Sequence, residues 1–207
     1  MNQMNQQRNP VLLVHGIWDT SKVFCKMIPF LSEGGSKVYD LDLKPNDGTK
    51  GLDDLAQQIV DKVDATFAPE QPFDLLGFSM GGIVTRYYVQ RLGGINRVQR
   101  FITLSAPSHG TLIAYFHQGL GCVQMRPQSD FLRDLNSDAA MLSQIDFTSI
   151  WTPLDMMIVP ADSSRMPIGD NIVVPVLIHA WMLTDKKSLT AIANALSAPI
   201  KCDRQSE

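Results

Sequence analysis

Cysteine is scarce in this chain, and what little there is excludes several chemistries. Cys25, Cys122 and Cys202 lie far apart, are odd in number and form no CxxC pair. No disulfide framework and no zinc site is therefore expected, and no other metal or cofactor is implied. Two of the three are expected as small core residues and the third as a thiol in the tail. No apolar run approaches the ~20 residues of a membrane span, and residues 1–10 are polar and rich in Asn and Gln. That start lacks the apolar stretch of a secretory leader, so a reduced, cytoplasmic protein without stable membrane insertion is expected. Basic clusters are missing too. The 18 Lys and Arg are scattered among 21 Asp and Glu for a net charge of −3, which argues against a nucleic-acid partner. Repeats, low-complexity tracts and linkers are absent. The expectation is one domain over residues 11–200, with flexible segments at 1–10 and 201–207.

What the chain does have is an alternation of short apolar runs with longer amphipathic ones. At 207 residues and 44% hydrophobic, it can bury a substantial core. Runs at 11–14, 37–41, 73–76, 100–104, 148–151 and 173–178 read as buried strands. Between them, Leu52, Leu55, Ala56, Ile59, Val60 and Val63 fall on one stripe of a helix over 52–67. Further helices are expected over 79–92, stopped by Gly93 and Gly94, and over 181–196. The pattern predicts an α/β fold with a mostly parallel sheet of about six strands flanked by helices. Residues 108–126 fit no period and are expected to form a cleft-shaping loop, with too little chain for more than a minimal cap.

The segment Gly77-Phe78-Ser79-Met80-Gly81-Gly82 matches G-x-S-x-G, after an apolar strand and before a helical run. In that setting the chain turns so sharply that side chains at Gly77 and Gly81 would collide with neighbouring backbone. The serine at the apex then projects its hydroxyl clear of the sheet, with a helix N-terminus behind it. Val14-His15-Gly16-Ile17-Trp18 reads as a strand end turning into a loop, which makes the N–H groups of Ile17 and Met80 candidate donors to an oxyanion. His15 at a strand end suits an orienting role better than proton transfer.

A serine nucleophile needs a base, and four histidines are available: His15, His109, His117 and His179. His179 follows the last expected strand and precedes the last helix, on the same sheet edge as Ser79. His109 and His117 fall in the cleft-forming loop and are expected to shape the site. The acid should follow the fifth strand, where Asp155 is preferred, with Asp162 and Asp170 as rivals.

Together these segments, with Leu104-Ser105-Ala106-Pro107-Ser108-His109-Gly110-Thr111, resemble the small bacterial lipases and esterases of the α/β-hydrolase superfamily. The last segment is similar to an L-x-x-P-x-x-G-T stretch of that family, and the likeness runs from Val11 to about Asp185. It implies a nearly lidless esterase or triacylglycerol-lipase-like enzyme with Ser79, Asp155 and His179 as its triad and Ile17 and Met80 as oxyanion donors. The expected substrate is a small-molecule ester or an acyl lipid. His15, Gly16, Trp18, Phe78, His109 and Leu112 are expected around it, and the apolar set Ile17, Trp18, Phe78, Met80, Leu112, Ile113, Tyr115 and Phe116 either lines an acyl site or is buried in the core. An acyltransferase or thioesterase using the same residues is the alternative, and a non-catalytic binding protein of the same fold is the reading from a different class.

Overall fold

The computed structural model describes residues 8–200, so the first seven residues of the segment expected to be flexible at 1–10, and all of 201–207 with Cys202, lie outside the described residues. Six strands form one sheet: β1 (Val11–Val14), β2 (Val38–Leu41), β3 (Phe73–Phe78), β4 (Val98–Leu104), β5 (Asp146–Trp151) and β6 (Asp170–Val173). Their order is β2-β1-β3-β4-β5-β6, and every pairing is parallel. The helices are α1 (Met27–Glu33), α2 (Leu52–Thr66), α3 (Met80–Arg91), α4 (Leu120–Gln124), α5 (Asp130–Ser137) and α6 (Lys186–Ser197).

Successive strand residues point to opposite faces, and the two faces carry separate cores. Leu12, Val14 and Leu75 pack with the buried stripe of α2 and with α3, α5 and Met125. Val11, Leu13, Leu76, Ile102 and Ile150 pack instead against Met27 and Leu31 of α1 and Leu189, Ile192 and Leu196 of α6. A parallel sheet between two helical layers has both faces covered, which is why β1, and β3 apart from Asp74 paired with Arg100, are apolar rather than alternating.

The order of strands places a functional edge. From β1 the chain crosses to β2 on one side, and the later strands are added on the other. The loops leaving β1 and β3 therefore diverge at their carboxyl ends, and a crevice opens between them.

Two elements differ most from the sequence expectation. The last strand spans Asp170–Val173 where 173–178 was expected: Pro175 has no N–H for the ladder, and the apolar run beyond Val173 leaves the sheet there. The expected helix over 181–196 is divided into a 3-10 turn, His179–Leu183, and α6, whose start is capped by the Asp185 carboxylate accepting from Lys187 N–H at 2.8 Å. Helices α1 and α5 had no counterpart in the sequence reading; α5 is capped by Ser129, whose hydroxyl accepts from Leu132 N–H at 3.2 Å. Cys122 is buried as expected, whereas Cys25 stands exposed after a 3-10 turn and belongs to neither core.

Arg86 on α3 is fully buried and locks this helix to the loop after β4 and to α5. It donates to the carbonyls of Ser108 and Leu135 and to the side chains of Asn136 and Gln90. Burial lowers its guanidinium to about 10, still charged at neutral pH. Arg86→Met removes four hydrogen bonds made by one buried cation, although Ser108 O keeps Asn136 Nδ2 and Leu135 O keeps Gln90 Nε2, and is expected to lower unfolding free energy by about 3 kcal/mol in urea titration. A loss below about 1 kcal/mol would mean that the network is not holding α3 to its neighbours.

Candidate active site

Ser79 sits between β3 and α3 with φ 53° and ψ −124°, a conformation a non-glycine residue occupies only under constraint, at a cost of ~1–3 kcal/mol. The constraint comes from its neighbours. A Cβ on Gly77 would stand 2.6 Å from the carbonyl oxygen of Gly81, and one on Gly81 would stand 2.6 Å from that of Val14 and overlap that of His15. The turn closes only because both positions are glycine. Gly82 is tight as well, against Ala106. Ser79 N–H donates to Leu104 O at 2.9 Å, tying the apex to the neighbouring strand end.

The loop after β1 faces the serine directly. A methyl on Gly16 would lie 3.0 Å from Ser79 Cβ. His15, behind this loop, is wholly buried and has both ring nitrogens engaged: Nε2 accepts from Leu43 N–H at 2.9 Å, so Nδ1 carries the proton it donates to Gly16 O at 2.8 Å. This corrects the expectation that His15 touches substrate, since it braces the loop from inside. Among the described residues the N–H groups of Ile17 and Met80 donate to no protein group, and Met80 lies in the first turn of α3, where helical acceptors are lacking.

Asp155 and His179 meet. Nδ1 of His179 lies 2.7 Å from Asp155 Oδ2, while Asp155 Oδ1 accepts from the amides of Met157 at 2.9 Å and Ile158 at 3.0 Å. Burial pushes this carboxyl up, but the His179 hydrogen bond and charge and the two amides outweigh it and hold it below the ordinary carboxylate range. An ionised carboxylate can only accept, so Nδ1 carries hydrogen and Nε2 is left as a base. The loop bearing His179 reaches Asp155 although β6 has already ended, because Thr152 Oγ1 donates to Val176 O at 2.6 Å and ties the two loops together. The His179 ring also packs on Phe78, centroids 4.8 Å apart. Ser79 Oγ has no hydrogen-bond partner among the described residues. Asp162 and Asp170 are exposed, Asp162 in a separate depression and Asp170 at the start of β6.

An apolar cleft opens beside Ser79, lined by Ile17, Trp18, Pro107, Thr111, Ile113, Ala114, His117, Cys122, Met125, Met157 and Ile158. Trp18 packs edge-on against His117 at 4.8 Å. Three further expectations need correction. Phe78 is buried and supports His179 rather than lining the cleft. His109 bonds Ser163 O and lines the separate depression with Asp162 and Asn136, so it is turned away from Ser79. Leu112 is exposed outside the cleft, while its neighbours Thr111 and Ile113 line it. The core alternative fails for Trp18, Tyr115 and Phe116, which are 52%, 52% and 79% exposed. Sequence reasoning assigned no role to Thr111, whose hydroxyl donates to Met157 O and accepts from Val159 N–H, fastening the β4 loop to the Asp155 loop. Its only signal was the Gly-Thr ending of the segment after β4. Among the described residues no cluster of His, Cys, Asp and Glu is suited to hold a metal, and no helix is long and apolar enough to cross a membrane.

The depressed Asp155 carboxyl makes a pH prediction. Its contribution to stability is present above the ordinary carboxylate pKa of ~3.9 and is lost as pH falls through its lower folded value. Wild type should therefore exceed Asp155→Asn in unfolding free energy at neutral pH, with the gap closing below that range. A gap unchanged between neutral pH and strong acid would contradict the assignment.

Comparison with known proteins bears on the fold and the family. The fold matches a Bacillus licheniformis lipase, BlEst2, with a TM-score of 0.77 over 94% of both chains at 14% identity. It also matches Aspergillus fumigatus lipase B, with a TM-score of 0.77 over 95% of this chain and 54% of that one at 18% identity. A bromoperoxidase from Bacillus anthracis gives 0.72 over 92% of both chains at 15% identity. The architecture is that of the α/β-hydrolases. In sequence, the lysosomal thioesterase PPT2 of mouse and that of human are each 34% identical over 108 residues, 49% of this chain and 34% of theirs. The chain thus spans about a third of the length of these curated relatives, which are described as lysosomal rather than cytoplasmic. Residues 10–120, more than half the chain and including both the His15-Gly16 loop and the Ser79 turn, match the family described as palmitoyl protein thioesterase, and the chain belongs to that family.

Proposed function

We propose that this protein is a serine hydrolase of acyl esters and thioesters, working through an acyl-enzyme on Ser79. The observation that carries the reading is the Asp155–His179 pair, 2.7 Å apart, on the sheet edge where Ser79 is raised on a strained turn. In this mechanism Ser79 Oγ attacks the carbonyl carbon as Nε2 of His179 takes its proton. Asp155 holds the ring and stabilises the imidazolium. The oxyanion is met by the N–H groups of Ile17 and Met80, each worth about 3 kcal/mol at the transition state. Collapse expels the alcohol or thiol, protonated by His179; water activated by the same nitrogen then releases the acid.

The cleft beside Ser79 supports an apolar acyl chain, because its lining is mainly aliphatic and aromatic. Family membership favours thioesters alongside the oxoesters expected from the sequence. The mechanism accommodates both, since a thiol leaves at least as readily as an alcohol and the oxyanion is identical. Acyl transfer to an alcohol differs only in what attacks the acyl-enzyme, and product analysis with added alcohol separates the two.

Matched p-nitrophenyl and thiophenyl esters of one fatty acid provide the test. Ser79→Ala is expected to lower kcat by about 1,000-fold or more on both while the protein stays folded. Activity within a few-fold of wild type would contradict the nucleophile assignment. Asp155→Asn should lose a comparable factor and Asp162→Asn should stay near wild type; the reverse pattern would move the acid to Asp162. A series from acetyl to palmitoyl should give kcat/KM rising with chain length, and a maximum at acetyl would contradict the acyl role of the cleft.

A further inference from the structure

Asp19 lies on the loop after β1, two residues beyond Ile17, and belongs neither to the triad nor to the oxyanion donors. The point where a methyl on Gly16 would stand is 3.0 Å from Ser79 Cβ, 3.4 Å from Asp19 Oδ2 and 3.4 Å from the Phe78 ring. The carboxylate and the serine thus flank Gly16 together. Asp19 is half-buried, yet among the described residues its carboxylate makes no hydrogen bond and no ion pair. Asp155, by contrast, is met by two amides and an imidazole.

Withdrawing a carboxylate from water without a donor is costly. Burial pushes Asp19 above the ordinary carboxylate range, against the opposing influence of His15 and His179. The loop does not need this side chain to keep its shape. It is held instead by Trp18 N–H donating to Asn46 O at 2.7 Å and by Asn46 Nδ2 donating to Asp19 O. An unpaired carboxylate with no structural task, beside the candidate nucleophile, is suited to a donor brought by substrate.

The side on which it lies identifies which part of the substrate that is. In the proposed mechanism His179 protonates the leaving group, so the leaving group departs on the His179 side of Ser79. His179 rests on Phe78, whose ring borders Gly16 as Asp19 does, and Asp19 is close enough to His179 to interact with it electrostatically. The apolar cleft lies elsewhere, among Ile17, Trp18, Ile113 and Ala114, and Asp19 is not part of its lining.

We propose that Asp19 is a leaving-group subsite, favouring acyl donors whose departing part carries a positive charge or an N–H or O–H donor and disfavouring those that carry a carboxylate. The proposal rests on Ser79 being the nucleophile. It assigns the two halves of the substrate to different surfaces, the acyl chain to the apolar cleft and the leaving group to Asp19.

Three butyryl esters test it: those of choline, of its uncharged isostere 3,3-dimethylbutanol, and of glycolate. The choline-to-isostere ratio in kcat/KM is expected to be about five-fold higher in wild type than in Asp19→Asn, the scale of one partly exposed charge contact. The glycolate ester should gain relative to the isostere in the variant. Equal fluorophosphonate labelling of Ser79 and equal melting temperatures in the two proteins check that the fold and the nucleophile are intact. Ratios that agree within about two-fold, with Ser79→Ala inactive, would overturn the subsite while leaving the nucleophile in place. Full turnover of all three esters by Ser79→Ala would overturn both.

Discussion

The turn between β3 and α3 leaves no room for a side chain two residues before Ser79 or two residues after it, and most of the site results from that crowding. Backbone oxygens of Gly81, Val14 and His15 stand where methyl groups at Gly77 and Gly81 would have to go. The serine is forced to φ 53°, a conformation that would relax if the surrounding packing loosened. The same closeness presses the β1 loop onto Ser79, and the first amide of α3 is left without a protein acceptor among the described residues. One steric condition thus sets the position of the hydroxyl and the approach of Gly16. The strain is borne by the two cores on either side of the sheet, which hold β1, β3 and α3 too firmly for the turn to unwind.

The second half of the site is assembled by loops, and their cohesion is polar. Thr152 joins the Asp155 loop to the chain leading to His179, and Thr111 joins it to the loop after β4. Arg86 anchors that same loop from behind through Ser108. These bonds are local and mostly shielded from water, where each is stronger than at the surface. They allow a short chain to place a carboxylate and an imidazole from separate crossovers within 2.7 Å, with only a 3-10 turn and the five-residue α4 between β4 and α5 by way of a cap.

Elements built on strong local rules were legible in the sequence. The first five apolar strands, the stripe of α2 and the G-x-S-x-G turn come from periodicity and sterics, and each lies within about two residues of where these rules put it. Pro175 was the visible warning that the last strand stops short, and the apolar run around it masked that signal. The roles of Phe78 and His109 were not legible, because each depends on which way a side chain turns at a loop or strand end. Phe78 faces inward to carry His179, and His109 turns to Ser163. Asp19 was missed for a related reason: its neighbours are distant in sequence, and composition gives no sign of a carboxylate left without a donor.

Covalent capture tests the central claim most directly. A slowly deacylating ester, quenched in acid within the first turnover and digested with trypsin, should leave the acyl mass on the peptide spanning residues 63–86, with fragmentation placing it on Ser79. Turnover of that ester with this peptide unmodified, or with the acyl group on any other residue, would contradict the account.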